Sequence, residues 1–201
     1  MTADIAERVR RSIVHPSIRS VRLIGSRANG DATSFSDWDF SVETDDFKTA
    51  AEALPTLAES LDPLAQLWDP LADIATYMVI LSGPTKVDFL FVDQVAEHSP
   101  PHVVRRDTLA DIDTHFWDWC LWLTSKVASG KNELVDEELS KMATHILQPM
   151  AIDRRPKGLR EAVKAYLDAR ETHETRLGVQ VQRELGTEVA RVVEATTGRL
   201  A

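Results

Sequence analysis

Leu23-Ile24-Gly25-Ser26-Arg27-Ala28-Asn29-Gly30, followed by Ser36-Asp37-Trp38-Asp39-Phe40-Ser41-Val42, is the stretch whose reading decides the fold. It reads as a strand, a glycine-serine turn, and a second strand that opens with two carboxylates one residue apart. Side chains alternate between the faces of a strand, so Asp37 and Asp39 share one face while Trp38, Phe40 and Val42 share the other. Two carboxylates aimed at one spot repel, and the repulsion needs an offset. A hard divalent cation is the usual one, and Mg²⁺ takes one or two carboxylates together with substrate phosphates. The Gly25-Ser26 turn can bring backbone N–H groups close to a phosphate. A phosphate cradle beside metal carboxylates implies phosphoryl or nucleotidyl transfer.

A third carboxylate follows on a later strand. In Lys86-Val87-Asp88-Phe89-Leu90-Phe91-Val92, Asp88 sits within a nearly continuous apolar run, where a carboxylate is rarely buried without a partner. Lys86 is one candidate partner and a metal is the other. Gly25-Ser26, ten intervening residues, Asp37-Trp38-Asp39 and then Asp88 together resemble the signature of the DNA polymerase β-like nucleotidyltransferase superfamily. Within it the chain is most similar to the small antibiotic (aminoglycoside-type) and minimal nucleotidyltransferases. The resemblance is carried by motifs over roughly residues 18 to 92, and beyond them by layout alone. It implies that Asp37, Asp39 and Asp88 are the catalytic carboxylates and the metal ligands. Asp88 would ligate the metal that activates the acceptor, take the proton from the acceptor hydroxyl, or do both. Gly25, Ser26 and Arg27 would meet the triphosphate, with Ser26 donating to a phosphate oxygen and the Arg27 guanidinium neutralising charge. The implied donor is ATP and the implied cofactor Mg²⁺, as two ions roughly 3.5–4 Å apart. The implied acceptor is a hydroxyl of a small molecule such as an aminoglycoside.

Bulk properties narrow the setting. A chain of 201 residues with 43% apolar and 27% charged residues can bury a core and is not of disordered composition. Its single cysteine, Cys120, excludes an intramolecular disulfide and suits a reducing cytoplasm. No signal-like segment or run of ~20 apolar residues is present, so a cytoplasmic protein without membrane contact is expected. A net charge of −9 argues against a broad nucleic-acid surface and accords with a polycationic acceptor.

The periodicity predicts a helix over residues 3–14, strands near 18–24 and 38–43, and a helix over 46–61 capped by Asp45. Pro55 should kink or break that helix. An irregular stretch with Pro63 and Pro70 follows, then a hairpin of 74–81 and 86–92 around Ser82-Gly83-Pro84-Thr85. Only helical patterns come after His98-Ser99-Pro100-Pro101-His102: 107–129, 133–148, 157–173 and 176–196. The expected fold is therefore α/β, a small mixed sheet with flanking helices over 1–102, followed by an all-α bundle over 103–201.

In the first helix of that bundle, Leu109, Ile112, Phe116, Leu123 and Val127 form one face, and Asp118, Trp122 and Lys126 line up beside it. Trp117 and Trp119 read as core. Lys126 either reaches the triphosphate, as a basic residue of the helical half does in related enzymes, or makes a surface ion pair. Acceptor-binding carboxylates are sought among Asp111, Asp113, Asp118, Glu133, Asp136 and Glu137. His98 and His102 are four apart, but the intervening prolines forbid a helix, so no zinc site is expected. Two other readings stay open. One is an antitoxin of the minimal nucleotidyltransferase kind that adenylylates a partner toxin, and the other is a nucleotide-binding module without catalysis. The last helix packs on the bundle or forms a dimer contact, leaving monomer and homodimer both open.

Overall fold

Residues 2–96 and 102–198 are described by a computed structural model. The chain divides into two compact units, Met1–His98 and Ser99–Ala201. The expected boundary near residue 102 abuts residues 97–101, which, with His98 among them, lie outside the described residues.

In the first unit, β1 (Ile18–Ile24), β2 (Trp38–Thr44), β3 (Pro63–Trp68), β4 (Ile74–Leu81) and β5 (Thr85–Val95) form one mixed sheet in the order β1-β2-β5-β4-β3. β2 and β5 run parallel, and the other neighbours are antiparallel. Three helices accompany the sheet: α1 (Thr2–Ser12), α2 (Gly25–Asn29) and α3 (Phe47–Glu59). The alternation in β2 holds, with Trp38, Phe40 and Val42 buried on one face. That face packs with Ala6, Val9 and Ile13 near α1 and with Ala50, Leu54 and Ala58 of α3. Phe40 stacks on Phe89 of β5, and Phe47, Trp68 and Phe91 form an aromatic cluster beside them. Each such side chain taken from water stabilises by about 1.5–3 kcal/mol. The core therefore fixes one face of the sheet, and the polar residues of β2 and β5 are left to the other.

Three local expectations are corrected. Asp46, not Asp45, caps α3, its carboxylate accepting from the Thr49 N–H at 3.2 Å, while Asp45 pairs with Arg19. Pro55 does not break α3, which runs as one element through it, held down by buried Ala50, Leu54 and Ala58. The stretch expected to be irregular after Pro63 is strand β3. It lies at the sheet edge, and Pro63 is its first residue, where a missing N–H removes no central ladder bond.

The second unit is helical: α4 (Leu109–Ala128), α5 (Asn132–Met142) running into a π-helical turn (Ala143–Leu147), α6 (Leu159–Leu177) and α7 (Glu184–Thr197). α4 is buried on nearly every side, Asp113, His115 and Asp118 included, so it is the central helix of the unit and not a one-sided amphipathic one. Trp117 and Trp119 lie in this core. α7 begins at Glu184 and not near 176, because Gly178 at φ 62° closes α6. The buried Glu174 carboxylate then holds the connection by accepting from the Val181 N–H and from Arg183. Gly186 permits close packing of α7, since a Cβ there would lie 2.8 Å from the Trp117 indole. His102 is hydrogen-bonded to His115 at 2.9 Å. Among the described residues no helix is long and apolar enough to cross a membrane.

Candidate active site

The strand register brings the backbones of two of the three carboxylates together. Asp39 on β2 is the Cα partner of Asp88 on parallel β5, and on its other side it is the partner of Ile24, the last residue of β1. Neighbouring strands lie about 4.8 Å apart, so Asp39 and Asp88 are lateral neighbours on the sheet face opposite the core. Asp37 precedes β2 by one residue and is two residues from Asp39, which gives it the same face by alternation. Asp37 and Asp39 are half-buried and Asp88 is buried.

Gly25 follows Ile24 directly and lies against Asp39. A Cβ on Gly25 would sit 2.5 Å from Asp39 Oδ2 and 3.3 Å from its Cγ, and Gly25 has φ +68°. Both space and backbone conformation therefore require glycine here. The expected glycine-serine turn is a one-turn helix, α2, which ends at Gly30 with that residue's N–H bonded to Ser26 O. Ser26 and Arg27 sit in its first turn, whose leading N–H groups lack intrahelical acceptors. Gly25→Ala should destabilise the first unit by about 1–2 kcal/mol from the left-handed backbone alone, and the contact with Asp39 adds to this. A denaturant midpoint equal to wild type would show that Asp39 gives way without cost.

Arg27 has an occupation that its phosphate role did not anticipate. Its Nε donates to the carbonyls of Ser36 and Asp37, both at 3.0 Å, and its Nη2 donates again to Ser36 O. The guanidinium carbon lies 4.2 Å above the Trp38 ring, a cation–π arrangement. Burial lowers the Arg27 pKa from its ordinary value, with Asp37 and Asp39 opposing that shift. Arg27 thus ties α2 to the segment that delivers Asp37. Within that segment Thr33 and Ser36 hold each other, Thr33 N–H donating to Ser36 Oγ and Ser36 N–H to Thr33 O. No spacing rule in the sequence links Arg27 to the Ser36 carbonyl, so this bond was not legible there.

On β5, Lys86 Nζ lies 2.9 Å from Asp88 Oδ1, with the side chains 5% and 12% exposed. Lys86 was the alternative to a metal as Asp88's partner, and it is in contact. Among the described residues no group of three or more His, Cys, Asp or Glu side chains is disposed to hold a metal ion. The donors that are brought together, Asp39 with Asp37 beside it, are carboxylate oxygens of the hard kind that Mg²⁺ prefers. The glycine kept at Gly25 leaves the Asp39 carboxylate room that any other residue would fill.

Lys126 belongs to the second unit, on α4, with Nζ 4.6 Å from the Trp122 ring centroid. Of the six candidate acceptor carboxylates, Asp113 and Asp118 are buried in the helical core. Asp113 is fully engaged there, accepting from Trp117 Nε1, Tyr166 Oη and Arg170 Nη1. That corrects its assignment as an acceptor ligand. Asp111, Glu133, Asp136 and Glu137 are exposed.

No family model matches the chain, and no curated protein is matched by it. Among solved structures the chain is similar to an aminoglycoside 6-adenyltransferase from Bacillus subtilis, at 10% identity and a TM-score of 0.40, over 94% of this chain and 95% of that one.

Proposed function

We propose that this protein is a Mg²⁺-dependent nucleotidyltransferase that transfers AMP from ATP to a hydroxyl of a small, polycationic acceptor of the aminoglycoside type. The observation that carries the reading is the pairing of Asp39 with Asp88 across parallel strands, with Asp37 on the same face and Gly25 kept open against Asp39. A structural role needs no such row of carboxylates on one face, because like charges side by side destabilise a sheet.

In this reading Asp37 and Asp39 hold the Mg²⁺, which when bound neutralises triphosphate charge and orients the nucleotide. Ser26 donates to a phosphate oxygen from the first turn of α2. Arg27 keeps the Asp37 segment in place through the Ser36 and Asp37 carbonyls. Asp88 serves the acceptor: its carboxylate takes the hydroxyl proton as the acceptor oxygen bonds to the α-phosphorus, and the bond to the β-phosphate breaks to release pyrophosphate. Positioning and charge neutralisation supply most of the acceleration, as in other phosphoryl transfers. Lys126 is proposed as a triphosphate contact from the helical half. The reaction is placed in the cytoplasm, where ATP is available.

Incubation of the purified protein with Mg²⁺, α-labelled ATP and a panel of aminoglycosides tests this. The expected result is a labelled acceptor one adenylyl group heavier, together with pyrophosphate. Absence of both nucleotide binding and transfer, with each of the four nucleoside triphosphates, would overturn it.

A further inference from the structure

We propose that two copies of this chain associate about a two-fold axis through the α6–α7 face, α6 of each copy lying antiparallel in the groove of the other. The inference concerns the helical unit and is independent of the nucleotidyltransferase reading.

α6 and α7 run antiparallel, because Arg160 at the start of α6 pairs with Glu194 near the end of α7 at 2.8 Å. Between them lies an open groove of about 700 Å³. Its floor is apolar, Val163 and Leu167 coming from α6 and Ala190 and Val193 from α7. The other lining side chains, apart from Ala195, are all charged: Arg160, Lys164, Asp168, Arg191 and Glu194. A small-molecule pocket sets a few polar groups among its apolar walls to orient the ligand, and this floor has none. A helix fits better, since its side-chain ridge packs into such a groove. Arg160 and Glu194 neutralise each other. Lys164, Asp168 and Arg191 are exposed, and among the described residues their side chains have neither an ion pair nor a hydrogen bond.

The placing of these three charges identifies the occupant. Counted along the antiparallel pair from Arg160 and Glu194, Lys164 is level with Ala190, so Lys164 and Arg191 flank the groove within about one residue rise, ~1.5 Å. Asp168 lies about one turn further along α6, ~6 Å. The groove thus offers two cations, and the matching anion is on its own helix. A two-fold interface is reciprocal, so any contact made by one copy is returned by the other. An axis crossing α6 at the level of residue 166 sets the partner's Asp168 between Lys164 and Arg191. The same axis sets Asp168 between the partner's Lys164 and the partner's Arg191. Val163 and Leu167 lie beside that axis and are covered by their counterparts. A polyanion such as a nucleic acid would meet Asp168 and Glu194 on the same rim and be repelled. Exposed ion pairs add little affinity but fix register and exclude wrong partners. The apolar floor therefore drives association and the charges set its geometry.

Sedimentation equilibrium of the full chain over a range of concentrations tests this. A reversible monomer–dimer equilibrium is expected, weakened by high salt. Asp168→Lys should raise the dissociation constant more than about tenfold, since a lysine then meets the partner's Lys164 and the partner's Arg191. Lys164→Glu/Arg191→Glu should do the same, since two glutamates then meet the partner's Asp168. An equimolar mixture of these two variants should recover the dimer, because both junctions again join opposite charges. A variant that merely loosens its own fold shows no such recovery. Asp168→Asn is the parallel variant should a charge-reversed protein not fold, and it should weaken the dimer by a smaller factor. A wild-type chain that is monomeric at every concentration overturns the proposal and leaves the groove to another occupant. A dimer unchanged in any folded variant overturns it as well, and so do two charge-reversed variants that stay monomeric when mixed.

Discussion

Asp39→Ala is expected to remove nucleotide transfer while leaving the denaturation midpoint at or slightly above that of the wild type. Asp39 stands between the end of β1 and Asp88 of β5, at the centre of the carboxylate row. Its neighbours in sequence, Trp38 and Phe40, face the opposite side and carry the core, so truncation leaves the packing untouched. The same truncation relieves repulsion along the row and empties the contact with Gly25, two changes that favour the folded chain. Transfer should fall by at least about 10²–10³-fold, the scale seen when one preorganised electrostatic partner is taken from a transition state. Mn²⁺ affinity should fall in parallel, because a metal ligand has been removed. A folded Asp39→Ala protein with near wild-type turnover would falsify the metal assignment.

Much of the first unit was legible because its signals are local. Period-two alternation in Trp38-Asp39-Phe40-Ser41-Val42 set which side of β2 faces the core, and the apolar run from Val87 to Val92 marked β5. What escaped were features decided by tertiary position. Pro63 argues against a strand in isolation, yet it opens an edge strand where its missing N–H removes no central ladder bond. Pro55 argues for a break, yet α3 continues because the face carrying Ala50, Leu54 and Ala58 is held in the core. In the helical half the expected face of α4 was too narrow. A helix buried all round shows no clean stripe, and its polar residues then read as solvent-facing when they are not.

The candidate site divides along the same line. That Asp37 and Asp39 share a face was read from alternation, and the grouping of Asp88 with them from the family resemblance alone. The register was not legible, because Asp39 and Asp88 are separated by a helix and two strands, and only the parallel ladder aligns them. Arg27 illustrates the limit best. An arginine after Gly-Ser reads as a phosphate ligand, while its observed bonds go to two backbone carbonyls, and carbonyl positions leave no trace in residue identity. Lys86 was visible as a partner for Asp88, and the fold brings its Nζ to 2.9 Å from Asp88 Oδ1.

Asp113→Ala is expected to be the most destabilising single truncation in the helical unit. One oxygen, Asp113 Oδ1, accepts from Trp117 Nε1 at 3.2 Å, Tyr166 Oη at 3.1 Å and Arg170 Nη1 at 3.0 Å, joining α4 to α6. Tyr166 is itself stacked on Phe116, ring centroids 3.7 Å apart. Removing the carboxylate leaves a buried guanidinium without its countercharge and two buried donors without an acceptor. Breaking a buried pair in this way costs about 3–5 kcal/mol, a fall in the thermal midpoint on the order of 10 °C for a chain of this size. Asp113→Asn keeps the volume and an acceptor oxygen and should lose less. Burial raises the Asp113 carboxyl above its ordinary value, with Arg170 foremost among the groups that pull it back. The folded chain therefore binds that proton more tightly than the unfolded one. Linkage from this group then favours the folded state increasingly as pH falls from the raised value to the ordinary one near 3.8. The stability gap between wild type and Asp113→Asn should accordingly widen over that acid range, read by chemical denaturation at a series of pH values. A gap that narrows on acidification would mean that attraction to Arg170, and not burial, governs the carboxyl. An Asp113→Ala midpoint within about 0.5 kcal/mol of wild type, the range of a neutral surface change, would mean that water replaces the carboxylate and that the α4–α6 junction does not depend on it.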